Sequence, residues 1–125
     1  LKIAQRLSEA RPAGLPALNV CIQVNVSGEA SKHGVAPDQA LVLAHEVAGL
    51  PRLRLRGFMA IPRETADTGA QRAQFASLRR LLEASAGLGL DTLSMGMSGD
   101  LEAAIMEGAT IVRIGSAIFG KRDYP

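Results

Sequence analysis

Four short apolar runs recur along the chain, at residues 18–26 (LNVCIQVNV), 53–61 (LRLRGFMAI), 92–95 (TLSM) and 110–115 (TIVRIG). A stretch with helical character separates each pair. A strand that reaches the next strand through a helix returns to the same end of the sheet, so the two pair in parallel through a right-handed crossover. The order is α, then β-α-β-α-β-α-β, which predicts the α/β class. Four parallel strands with helices on one side make about four βα units, half of a (β/α)8 TIM barrel whose full length is typically ~250 residues. An open doubly wound sheet is the competing arrangement. It lacks support here, because no strand–turn–helix carries a GxGxxG fingerprint, and Gly96-Met97-Ser98-Gly99 is only a loose partial match.

The individual segments carry recognisable signals. Residues 1–10 read as the last turns of a helix, stopped by Arg11-Pro12-Ala13-Gly14. The chain opens on Leu1 rather than Met, and residues 1–125 are expected to be a single partial domain, the C-terminal half of a longer chain. In the first strand Val20, Ile22, Val24 and Val26 share one face and Cys21, Gln23 and Asn25 the other. That polar face suits a ligand-lined barrel interior or a wet edge strand equally. A polar loop (residues 27–34) leads to a helix that Pro37 and Asp38 open and Gly49 and Pro51 close, with Ala40, Leu43, Val47 and Leu50 as its apolar stripe. Gly57 within the second strand points to a close approach by another backbone or a ligand. The next helix spans roughly residues 70–86, burying Phe75, Leu78 and Leu82 and directing Arg72, Arg79 and Glu83 outward. Ser98 is a candidate N-cap for a helix at residues 100–107. In the last strand Ile111, Arg113 and Gly115 share a side.

Composition excludes several function classes. At 47% apolar and 21% charged, 125 residues suffice for one real core and not for two. No apolar run approaches the ~20 residues of a membrane helix. A single cysteine, Cys21, rules out a disulfide framework and makes a reducing, cytoplasmic setting the default. As a small side chain without a basic neighbour in sequence, it is expected to be buried. The net charge of +2 and the scattered arginines do not indicate nucleic-acid binding. His33 and His45 lack a third ligand at useful spacing, so no metal site is expected. Glu102 and Glu107 are most simply solvated, and Met95, Met97 and Met106 suit core filling or pocket lining alike.

Two glycine-bearing turns follow consecutive strands, at residues 95–99 and 115–120. In a barrel such turns lie at the C-terminal end of the strands, where phosphate is commonly held. Ser98, Gly99, Gly115 and Ser116 fit a phosphate cradle of backbone N–H groups and hydroxyls, although each is also explained as an ordinary cap or turn residue. Arg113, among apolar residues and on the side of Gly115, needs a partner, because an unpaired buried guanidinium costs several kcal/mol. That partner is either a barrel carboxylate or an electron-rich ligand atom.

The tail LSMGMSGDLEAAIMEGATIVRIGSAIFGKRDYP (residues 93–125), with VNVSGEASKHGV at 24–35 and LRGFMAIP at 55–62, resembles the pyridoxal phosphate homeostasis proteins. The resemblance runs over nearly the whole chain. It implies a TIM barrel of the alanine racemase N-terminal type that holds pyridoxal 5′-phosphate (PLP). By position it assigns phosphate binding to Ser98, Gly115 and Ser116, pocket lining to Met97, and the pyridine nitrogen to Arg113. It implies a non-enzymatic role in intracellular PLP (vitamin B6) and amino-acid homeostasis, with PLP-dependent apoenzymes as candidate partners and no catalytic residue in this chain. The family's Schiff-base lysine lies in the half not represented here; Lys32, in the ExxKxG loop the family shares, is read as a loop residue. Ser116 stands where the family often has Thr, which keeps the hydroxyl. The alternative is the barrel domain of a PLP-dependent amino-acid racemase. A half barrel bares two strand edges, so the fragment is expected to self-associate or to pair with the missing half.

Overall fold

Three strands pair side by side in chain order, β1-β2-β3, all parallel. They are β1 (Leu18–Gln23), β2 (Leu53–Met59) and β3 (Thr92–Ser94). The computed structural model describes residues 1–30 and 33–123. Between the strands run α2 (Pro37–Ala48) and α3 (Thr68–Ala84); α1 (Lys2–Ala10) precedes them, and α4 (Leu101–Met106) and α5 (Ser116–Phe119) follow. This is the parallel β-α-β order the sequence predicts.

The expected fourth strand is reduced to a single bridge, Ser94 with Ile111. Its backbone still follows β3: Ile111 N–H donates to Leu93 O (3.2 Å), Met95 N–H to Ile111 O (3.0 Å), and Arg113 N–H to Gly96 O (2.8 Å). The left-handed turn at Gly96 (φ 104°) interrupts the ladder, so pairing persists without regular strand geometry.

The core lies between the sheet and its helices. Ile22, Val24, Leu53, Leu55, Phe58, Leu93 and Met95 pack with Ala40, Ala44 and Val47 of α2, Phe75 and Leu78 of α3, and Ala103 and Ala104 of α4. Phe58 and Phe75 are fully buried, each contributing about 1.5–3 kcal/mol of apolar transfer. Small alanines on α2 and α4 let these helices sit close to the strands. Gly57 sits just after a register shift and pairs with both Cys21 and Thr92. A Cβ there would lie 1.8 Å from the Thr92 carbonyl oxygen, so the close approach expected from the sequence is that of a neighbouring backbone.

Helix α3 begins at Thr68, two residues earlier than expected, because the Asp67 carboxylate accepts from Gly69 N–H (2.9 Å) and Ala70 N–H (3.3 Å). It ends at Ala84 in a 3₁₀ turn (Ala86–Leu88) that Gly89 closes at φ 66°.

Two sequence expectations are corrected and a third, left open, is resolved. Glu107 is not solvated: it is 5% exposed, and Arg72 and Arg79, whose side chains keep 49% and 40% exposure, turn their guanidinium ends onto its carboxylate. Arg72 donates from Nε to Oε1 (2.9 Å) and Arg79 from Nη1 to Oε2 (2.6 Å), which pins α4 to α3. Cys21 is exposed, because it lies on the sheet face opposite the helices together with Asn19 and Arg54. Partial desolvation pushes its thiol pKa up, and Arg56 across the sheet pulls the other way. Arg56 itself makes a bidentate pair with Asp91, Nη2 to Oδ2 at 2.8 Å and Nε to Oδ1 at 3.1 Å. Met106 is exposed and Met95 is fully buried, so only Met95 fills the core.

Candidate functional site

A cleft of about 960 Å³ opens at the C-terminal ends of the strands, where β2, β3 and the segment after Ile111 hand over to their loops. Met97, Ser98, Arg113, Gly115 and Ser116, the five binding residues expected from the sequence, all border it. They come from two turns and one irregular strand that the sheet brings together.

The first turn is built around Gly96. Its positive φ is a conformation that side chains rarely adopt, and a Cβ there would meet the Ala104 Cβ at 2.7 Å. Gly96 therefore serves the turn and the packing of α4. The Asp100 carboxylate then accepts from Met97 N–H at 2.8 Å and closes the turn. Asp100, not Ser98, occupies the N-cap position of α4, and no side chain caps that helix. Ser98 is instead committed across the cleft: its Oγ accepts from Ala117 N–H at 3.0 Å. That bond joins the first turn to the second. The hydroxyl still has its proton to donate.

Gly99 and Gly115 differ from Gly96. Among the described residues a Cβ on either would meet no atom within 4 Å, so both stand beside open space at the cleft. The rest of the rim is mixed, with the apolar Met97 and Phe119 exposed beside Lys121.

Arg113 forms the floor. Its Nη1 donates to Ser94 Oγ at 2.5 Å and its Nη2 to Ala60 O at 3.0 Å. Both acceptors are neutral, and among the described residues Arg113 makes no ion pair. Of the two partners the sequence left open, the internal carboxylate is not the one observed. The positive charge borders the cleft without a counter-charge in contact.

Two residues of the site escaped the sequence. Ser94 read as an ordinary strand residue. Gln71 read as part of a helix, yet its Nε2 donates to Thr65 O (2.8 Å) and to Gly99 O (3.3 Å), tying the loop after β2 to the turn after β3. A glutamine in the first turn of a helix carries no local signal of such a reach. Lys32 lies outside the described residues. His33 and His45 are exposed, and among the described residues no three His, Cys, Asp or Glu side chains group as a metal site. No helix among them is long and apolar enough to cross a membrane.

Comparison with known proteins gives a consistent set of relatives. The family model described as alanine racemase, N-terminal domain, matches residues 1–123. The pyridoxal phosphate homeostasis protein of Pseudomonas aeruginosa is 71% identical over 124 residues, covering 99% of this chain and 54% of that protein. Among solved structures, an unknown protein from Bifidobacterium adolescentis superposes with a TM-score of 0.87 at 37% identity, covering 94% of this chain and 49% of the other. PipY of Synechococcus elongatus with PLP bound superposes with a TM-score of 0.79 at 28% identity, covering 95% and 57% respectively. The chain spans about half the length of the curated relatives it matches.

Proposed function

Because the chain belongs to the alanine racemase N-terminal-domain family, we propose that it is the C-terminal half of a barrel that binds PLP and serves intracellular PLP homeostasis without catalysing a reaction. The observation that carries this reading is Arg113, a cation that finds no carboxylate partner among the described residues, beneath the glycine turn after β3 and the glycine that opens α5. PLP presents a dianionic phosphate at one end and a pyridine nitrogen within its ring, and the residues of the cleft fit both. The space beside Gly99 and Gly115 admits phosphate oxygens close to the backbone, with the Ser98 and Ser116 hydroxyls as donors. Arg113 would take the ring nitrogen, and Met97 would supply apolar lining for the ring.

When bound, PLP supplies an electrophilic aldehyde and a ring that can accept electron density. The contribution of this chain is to hold the phosphate and set the charge at the ring nitrogen. A guanidinium opposite that nitrogen disfavours its protonation, which weakens the ring as an electron sink. A weak electron sink suits a carrier or regulator, although racemases of this barrel class also use arginine there. A group that forms the covalent link would come from the remainder of the protein, with PLP-dependent apoenzymes as receivers in the cytoplasm.

The test is PLP titration followed by equilibrium dialysis, with inorganic phosphate as competitor. Binding should be reversible, competed by phosphate, and about tenfold weaker in Ser116→Ala, the loss of one hydrogen bond to a charged group. Binding that is indifferent to phosphate and to Ser116→Ala would sink the assignment. Racemisation of alanine by the intact protein would replace the homeostasis role with the racemase one.

A further inference from the structure

We propose that Ser94 is a positioning residue for Arg113, holding its guanidinium in the one orientation that keeps the ligand's ring nitrogen unprotonated; this rests on the PLP reading above. Ser94 ends β3 and is only 9% exposed, so its hydroxyl is fixed by the sheet rather than by solvent. It accepts from Arg113 Nη1 at 2.5 Å while Ala60 O accepts from Nη2 at 3.0 Å. The two anchors are themselves joined, since Ala60 N–H donates to Ser94 O at 3.2 Å. The guanidinium is thus gripped by the exits of two adjacent strands, and its own backbone hydrogen-bonds to Gly96 just beyond β3.

The physical consequence concerns the donors that remain. A guanidinium is planar and has five N–H groups in a rigid fork. Two point back at Ser94 and Ala60, which fixes the plane and leaves three donors uncommitted in a side chain that borders the cleft. One anchor alone would allow rotation about the remaining bond. Two anchors on different strands remove that freedom. A long, rotamer-rich side chain at a binding site otherwise loses its entropy on ligand binding; here the loss is taken on folding. The choice of acceptors matters as well. A carboxylate in place of Ser94 would neutralise the arginine and raise the proton affinity of the ring nitrogen. A hydroxyl orients the cation and leaves its charge intact.

The test uses PLP labelled with ¹⁵N in the ring, bound to the protein, with affinity and the ring ¹⁵N resonance measured between pH 6 and 9. Ser94→Ala should weaken PLP about fivefold, the effect of losing one hydrogen bond, and shift the resonance toward the protonated position. Ser94→Cys, which nearly preserves volume but is a poor acceptor, should behave likewise, and Ser94→Thr should restore both readouts. A drop in affinity without movement of the ¹⁵N signal would reduce Ser94 to a packing role and overturn the proposal. Arg113→Leu separates the two levels of inference. If it moves both readouts and Ser94→Ala moves neither, the positioning role is wrong while the PLP reading stands. If Arg113→Leu itself moves nothing, the ring assignment falls and the positioning role falls with it.

Discussion

Glu107 and its two arginines allow a quantitative forecast. The carboxylate side chain is 7% exposed, whereas Arg72 and Arg79 are 49% and 40% exposed. The asymmetry decides which mutation hurts. Removing either arginine alone leaves the carboxylate bonded to the other. Because each arginine is nearly half in solvent, screening reduces the loss to about 1 kcal/mol. Removing both leaves a buried carboxylate without a partner, which costs about 3–5 kcal/mol. Arg72→Ala and Arg79→Ala should therefore be mild singly and more than additive together, with a coupling of about 1–3 kcal/mol. Glu107→Gln should cost less than the double arginine variant, since it leaves two cations that can rehydrate. Urea denaturation resolves these differences, and each kcal/mol corresponds to about 3–5 °C in Tm for a chain of this size. Additivity within about 0.5 kcal/mol, together with a neutral Glu107→Gln, would refute the buried clamp and return Glu107 to solvent.

Gly57→Ala forces a Cβ to within 1.8 Å of the Thr92 carbonyl oxygen, between two paired strands that cannot move apart freely. It should destabilise by about 3 kcal/mol or more, whereas Gly99→Ala, beside open space, should leave the denaturation midpoint nearly unchanged; equal effects would refute the close-approach account. The Asp91 carboxyl is held at about 2, below its ordinary 3.8, by the hydrogen bond from Arg56 and then by that from the Thr92 hydroxyl. A depressed acid stabilises the fold above its unfolded pKa, and that contribution disappears as pH falls through the folded one. Stability should therefore decline between pH 3.8 and about 2, and Asp91→Asn should flatten this limb in thermal melts; an unchanged acid limb in that variant would show that other carboxylates dominate it.

How legible the protein is depends on the range over which each feature is set. Strand positions follow from alternation within a few residues, and parallel pairing from the helices between strands, so both read directly. The turn at residues 95–99 is likewise marked locally by glycine and serine; residues 115–120, also expected as a turn, instead form the short helix α5 between Gly115 and Gly120, and the barrel order places both segments at one end of the sheet. Met97, Ser98, Arg113, Gly115 and Ser116 consequently border one cleft as expected. The irregular pairing after Ile111 was not legible, because TIVRIG is strand-like in composition and only the turn at Gly96 disrupts its ladder.

What the sequence determined by itself was the alternation of the three paired strands with their helices, the core faces of α2 and α3, and the residues available beyond the strand ends. These depend on periodicity and backbone preference, which are local. Tertiary structure alone decided which polar groups met. Arg72 and Arg79 reach a glutamate 35 and 28 residues away, Ser98 reaches Ala117 instead of capping its own helix, and Gln71 crosses to Gly99. Arg113 finds Ser94 and Ala60 in place of a carboxylate. A hydrogen bond is specified by distance and angle in three dimensions, and residue type sets only the capacity to form one. The sheet supplied the geometry.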